Sequence, residues 1–240
     1  QEDLNHYRDH IKRLFGEFKA MDIKDLSGYH TLSDMIMRNN LKKFFDFREQ
    51  SIYQLTRMFA DEAKQKGKIV GLNLFAPSIA PLSAQNYRLL SGICDWIKPM
   101  AYCHTAGPAG LPLEFSCFIK AILNINPALK ESQLIQEISQ ILGSELPGKI
   151  SGILENGVPE NIIYQEMQRI KNFSLKESVK IYLGLDAVQI PGICHVDKRI
   201  LEKYLGSVFD LNIEGMVMSW NLLKIPDENI KFVGDFLLKQ

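Results

Sequence analysis

Within the stretch DWIKPMAYCHTAGPAGLP (residues 95–112), three groups able to act on a substrate stand at even positions: Lys98, Tyr102 and His104. A lysine amine can pair with an anion or condense with a carbonyl, and a phenol or imidazole can give or take a proton. Asp186 closes the apolar run VKIYLGLDA in the same way, with a carboxylate at the end of an otherwise buried segment. Glu114 follows the GPAGLP loop, and Glu155 sits in ILENGVPEN. Two carboxyl groups across one bond are the minimum for a general acid working with a base or nucleophile. Trp220 offers a flat apolar ring, and Asn73, Gln85 and Asn221 offer hydrogen bonds to hydroxyls. Each also has a plainer use. Asp186 can pair with Lys98 or a backbone amide, and Lys98 in an interior needs such a carboxylate. Glu114 suits a helix start, Glu155 suits the surface, and Trp220 suits a core.

These groups need a frame, and hydrophobic periodicity supplies one. The first 66 residues read as helical. The longest helix in that region is KKFFDFREQSIYQLTRMFADEAKQKG, with Phe45, Ile52, Leu55, Met58 and Phe59 near one face and Gly67 as a stop. Strands are predicted at KIVGLNLFAP, WIKPMAYCH, VKIYLGLDAV and GMVMSWNLL, with helical segments between them and one at the end. The first of the intervening helices, SAQNYRLLSGI, is expected to be opened by Ser83 as its cap. Strands alternating with helices predict parallel βαβ units in a single domain over residues 1–240.

Side chains alternate faces along a strand. Val70, Leu72 and Leu74 share one face, against Gly71, Asn73 and Phe75. Ile97, Pro99 and Ala101 oppose Lys98, Met100 and Tyr102, and Ile181, Leu183 and Leu185 oppose Tyr182, Gly184 and Asp186. An open sheet covered by helices on both faces is apolar on both. One aliphatic and one mixed face, repeated in three strands, predict a barrel interior with its polar members at the C-terminal mouth.

Composition limits the partners. Lys plus Arg and Asp plus Glu both total 28, which argues against nucleic acid or an anionic membrane as the main partner. No apolar run approaches the ~18 residues of a membrane span. Cys94, Cys103, Cys117 and Cys194 show no paired spacing and read as free thiols; no metal and no cofactor is expected. Dinucleotide, P-loop, zincin and serine-hydrolase motifs are absent.

The run GLNLFAPSIAPLSAQNYRLLSGICDWIKPMAYCHTAGPAGLPLEF resembles a group of bacterial glycoside hydrolases with TIM-barrel folds. The likeness rests on the LFAPSIA segment, the helix start at Gln85, Asn86 and Tyr87, the DWIKPMAY strand and the GPAGLP loop. FFDFREQSI and GMVMSWNLLKIP are similar to the helix before that strand and to the last strand of the same group. A looser likeness to chitinase-type glycosidases rests on Met100 with Tyr102, Leu183 with Gly184, and Trp220. Together they span roughly residues 41 to 238. They imply a (β/α)8 TIM-barrel fold in which this chain supplies about the last four βα units after an N-terminal helical segment. The implied activity is hydrolysis of a carbohydrate by paired carboxyl groups, with Asp186 and Glu114 as catalytic residues. Asn73, Gln85, Lys98, Tyr102, His104, Trp220 and Asn221 are implied to bind substrate.

Two departures qualify that expectation. Asn73 and Asn86 stand where those relatives carry Asp, and nothing before residue 41 resembles a fourth strand ending in an acid. The expectation is therefore that a preceding half or a partner chain completes the barrel and brings the second carboxylate. A non-catalytic carbohydrate-binding barrel and a barrel lyase or aldolase using Lys98 are the alternatives.

Overall fold

The computed structural model describes residues 42–125, 127–208, 211 and 213–238. The helices expected before residue 42 lie outside the described residues. Helix α1 spans Lys42–Gln65 and stops at Gly67, whose φ of +67° suits a residue without Cβ. Its inward stripe is the expected one only in part: Phe45 is buried and Ile52 half-buried. Tyr53, Ala60 and Ala63 face the core, whereas Leu55, Met58 and Phe59 are exposed. The apolar residues of this helix spread over more than one stripe. Contact with α2 (Tyr87–Ser91) and with the 3-10 turn Ala80–Ser83 selects which side is buried.

Strand β1 (Gly71–Phe75) precedes that turn, and β2 (Trp96–Met100) follows α2. Ser83 does not cap α2, because it belongs to the 3-10 turn. Asn86 does so instead: its Oδ1 accepts from Leu89 N at 3.1 Å, and its Nδ2 donates to Glu49 Oε2 at 2.8 Å. Four helices come next, α3 (Leu111–Ile125), α4 (Glu131–Leu142), α5 (Ile150–Asn156) and α6 (Ile162–Lys171). Strand β3 (Lys180–Asp186) leads into a small antiparallel hairpin, β4 (Gln189–Ile190) with β5 (Cys194–His195). Helix α7 (Lys198–Val208), strand β6 (Gly215–Ser219) and helix α8 (Asp227–Leu237) complete the described fold. No helix among the described residues is long and apolar enough to cross a membrane.

The fold is α/β. Its main sheet has the order β1-β2-β3-β6, with every neighbouring pair parallel. Each strand of this sheet lies beside the one before it. Right-handed crossovers, the general rule for parallel strands, then put the connecting helices on one face. Burial agrees. Leu74, Ile97, Leu183 and Leu185 are packed at 4%, 0%, 0% and 3% exposure, in one core with the helices. On the other face Trp96, Lys98, Met100 and Tyr182 are half-buried, and Asn73 is exposed. The expected division of the strands into an aliphatic and a mixed face is therefore present, and the mixed face is the less covered one. Its large residues sit beside glycines. A Cβ at Gly71 would strike the Trp96 ring at 1.9 Å, and one at Gly215 would lie 3.3 Å from Tyr182.

Candidate functional site

At the C-terminal ends of β1, β2 and β6 the mixed face opens into a cavity of about 790 Å³. Lys98 rises from the middle of β2 on this side. Gly184 leaves room for its stem, since a Cβ there would approach Lys98 Cγ to 3.2 Å. Lys98 Nζ donates to Tyr102 Oη and to Ser219 Oγ, both at 3.2 Å. The expected carboxylate partner is replaced by these two hydroxyls; none of the ion pairs among the described residues involves Lys98. Met100 and Val217 supply apolar wall, and Asn73 stands on the β1 side. Trp220 follows β6 through a cis peptide bond, is 47% exposed and lines the same space. Lys98, Tyr102, Asn73 and Trp220, all expected to bind substrate, are thus brought together.

The two carboxylates expected to do the chemistry are not in this cavity. Asp186 has strand parity with Tyr102 and Ser219, but the loop after β2 folds over its side chain and leaves it 0% exposed. Its Oδ2 accepts from His104 N at 2.8 Å and Thr105 Oγ1 at 2.9 Å, and its Oδ1 accepts from Tyr204 Oη at 2.6 Å. So many donors on one buried carboxylate make it an anchor joining β3, the loop and α7, with no oxygen turned to the cavity. Glu114, in the first turn of α3, accepts from Ala109 N at 3.0 Å and props the Gly/Pro loop from behind.

Three further expectations change for similar reasons. Gln85 Oε1 accepts from Phe75 N at 2.7 Å, finishing the end of β1 rather than reaching a ligand. Asn221 Oδ1 accepts from Leu223 N at 3.1 Å and caps a 3-10 turn. His104 turns to a second cavity of about 620 Å³, on the other side of the loop, where Glu155, Gln189 and His195 also lie. Its Nε2 is 3.5 Å from Glu160 Oε1. Burial raises the Glu160 carboxyl, but a backbone amide, Lys203 and His104 together outweigh it and hold the group below its usual value. Glu155 itself is exposed, in keeping with its surface reading.

Sequence reasoning passed over Ser219, which completes the Lys98 cluster. Alternation in GMVMS places it with Gly215 and Val217 on the mixed face, so the signal was there. Thr105 and Tyr204, which hold Asp186, carried no such signal, because helix α7 and the loop meet only in three dimensions.

Among the described residues no group of three or more His, Cys, Asp and Glu side chains is placed to hold a metal ion. The four cysteines are free: Cys94, Cys103 and Cys194 are buried and Cys117 is exposed. Burial pushes the Cys94 thiol up to about 11; burial and then the nearby Asp186 push Cys194 up to about 12. Thiol titration with a disulfide reagent at pH 8 is therefore expected to count one fast group in the native protein and four in denaturant. Two or more fast groups in the native protein would contradict this packing.

Comparison of the chain with protein-family models, with curated proteins and with solved structures found no match in any of the three. The fold and the cavity therefore define the protein's class on their own: an α/β protein with a four-stranded parallel sheet among the described residues and a ligand-sized cavity at the strands' C-terminal ends.

Proposed function

We propose that this chain supplies the last four βα units of a (β/α)8 barrel of glycoside-hydrolase type, and that its cavity binds a carbohydrate. One observation carries the reading. At the C-terminal ends of the parallel strands β1, β2 and β6, on the face less covered by helices, half-exposed Trp220 stands beside the polar groups Lys98, Tyr102 and Asn73. An indole face suits the C–H side of a pyranose, and the polar groups suit its hydroxyls. Sequential strand order supports the barrel, since each barrel strand lies beside its sequence neighbour and the helices form only the outer ring. Both outer strands of the sheet, β1 and β6, have one edge on which a further strand can pair.

Hydrolysis needs two carboxyl groups, about 5–5.5 Å apart for retention and roughly 6.5–9.5 Å for inversion. No carboxylate among the described residues lines the cavity. On this reading the catalytic pair comes from strands outside the described residues, and Asp186 and Glu114 hold the loop against which the sugar lies. The same absence favours a second reading, a carbohydrate-binding barrel without turnover.

The test is calorimetric titration with a panel of soluble oligosaccharides, together with an assay for new reducing ends. Binding is expected, and Trp220→Ala is expected to weaken it about tenfold or more, as loss of a central aromatic contact does. New reducing ends select the hydrolase, and binding without them selects the binder. No binding across the panel would defeat both.

A further inference from the structure

We propose that the cavity contains an anion subsite, built from Lys98, Tyr102 and Ser219, that receives an acidic group on the bound sugar, a carboxylate or a phosphate ester. The inference rests on the carbohydrate reading and adds the chemical class of the ligand.

Lys98 is the one charged side chain among the described residues that line the cavity. It is half-buried, and the groups that meet its Nζ, Tyr102 Oη and Ser219 Oγ, are neutral. Hydroxyl dipoles solvate an ammonium but leave its charge in place, and a charge withdrawn from water without a counter-ion is costly. The nearby acids do not supply that counter-ion. Asp186 is taken by His104 N, Thr105 and Tyr204, and Glu114 by Ala109 N.

The hydroxyls point to the same kind of ligand. Each accepts a hydrogen bond from Lys98, so each keeps its own proton to give. The Ser219 hydroxyl reaches only Val217 O, at a long 3.5 Å. An ammonium and two hydroxyls thus converge as donors from β2 and β6. An acceptor-only group, such as a carboxylate or phosphate oxygen, matches such a cluster, and charge-assisted bonds to it are the strong ones. A sugar hydroxyl satisfies a donor but leaves the charge unbalanced. The apolar groups at Met100 and Val217 beside the cluster lower the local dielectric, which strengthens the pairing.

The experiment titrates the full chain at low salt with glucose, glucuronate, glucose 6-phosphate and inorganic phosphate. At least one sugar acid is expected to bind about tenfold or more tightly than glucose, with the margin shrinking as salt is added. Whichever acid is preferred identifies the source of the anion. Lys98→Met is expected to erase the preference, and Lys98→Arg to keep part of it. Tyr102→Phe keeps the ring, removes one donor and is expected to lower the preference about threefold, so it carries the test should Lys98→Met fail to fold. Equal affinity for glucose and both sugar acids overturns the subsite and leaves the carbohydrate reading standing. A preference that survives in a folded Lys98→Met overturns the assignment to these residues. Phosphate binding as tightly as glucose 6-phosphate, with no binding of glucose or glucuronate, overturns the sugar reading and the inference built on it.

Discussion

Asp186→Ala is expected to cost about 3–5 kcal/mol of folding stability, since three buried donors lose a charged acceptor at once and hydrogen bonds to a charged group are worth about 1.5–3 kcal/mol each. In a chain of this size that is a fall in Tm of about 6–20 °C. The carboxylate has no exposure and receives the His104 amide, the Thr105 hydroxyl and the Tyr204 phenol. Alanine leaves the His104 amide and the Tyr204 phenol inside the protein without an acceptor, and leaves Thr105 only the weak acceptor Cys194 Sγ at 3.3 Å. Burial, and then the Asp186 charge, hold the Tyr204 phenol well above its usual range, so Tyr204 meets Asp186 as a proton donor. Asp186→Asn keeps the volume and one acceptor oxygen and is expected to lose about half as much. Thermal and urea unfolding of both variants decide the matter. An Asp186→Asn protein that melts like wild type yet loses a measured activity would return this residue to the catalytic role the sequence suggested.

Gly110→Ala is expected to cost about 1–3 kcal/mol and to deform the wall of the main cavity, as over-packing of a closed site does. An added Cβ would lie 1.8 Å from Thr105 O and 2.9 Å from Gly107 O, both backbone atoms. They cannot swing aside, because the loop is tied at several points. Tyr102 and Gly110 form a bridge, Leu111 N donates to Tyr102 O at 2.9 Å, and Ala106 N donates to Ile193 O at 2.7 Å. Movement here carries Ala106, Pro108 and Ala109, which line the cavity, and loosens Thr105 on Asp186. The variant should therefore lose both Tm and ligand affinity. Wild-type values for both would show that the loop is looser than its hydrogen bonds indicate.

Both predictions concern a loop whose composition was plain in the sequence and whose task was not. GPAGLP reads as a Gly/Pro-rich loop, and the structure ties it at Tyr102, Glu114 and Ile193. That Glu114 braces it from behind and Asp186 from below depends on donors that come together only after folding. A carboxylate at a strand's end has the same sequence signature whether it faces a substrate or a buried amide. The difference is made by a loop about 80 residues away along the chain. Helix α1 is a second case. Its existence and its stop at Gly67 were legible, whereas the side it buries was set by α2 and the turn before it.

The sequence by itself determined the four strands of the main sheet, the longer helices between them and the sharing of strand faces, whereas helix α5 and the β4–β5 hairpin were not legible in it. The legible features are local matters, governed by the periods of the backbone and by Gly and Pro, so they are written in short windows of residues. It also placed Asn73, Lys98 and Tyr102 together on the mixed face. Tertiary structure alone decided that Lys98 meets Ser219, 121 residues further along, that Asp186 is sealed from the cavity, and that His104 turns to the opposite side of the loop. Those outcomes depend on which distant donors and acceptors arrive beside each group. Burial favours a partner for each such group, and only the packed chain brings one into reach.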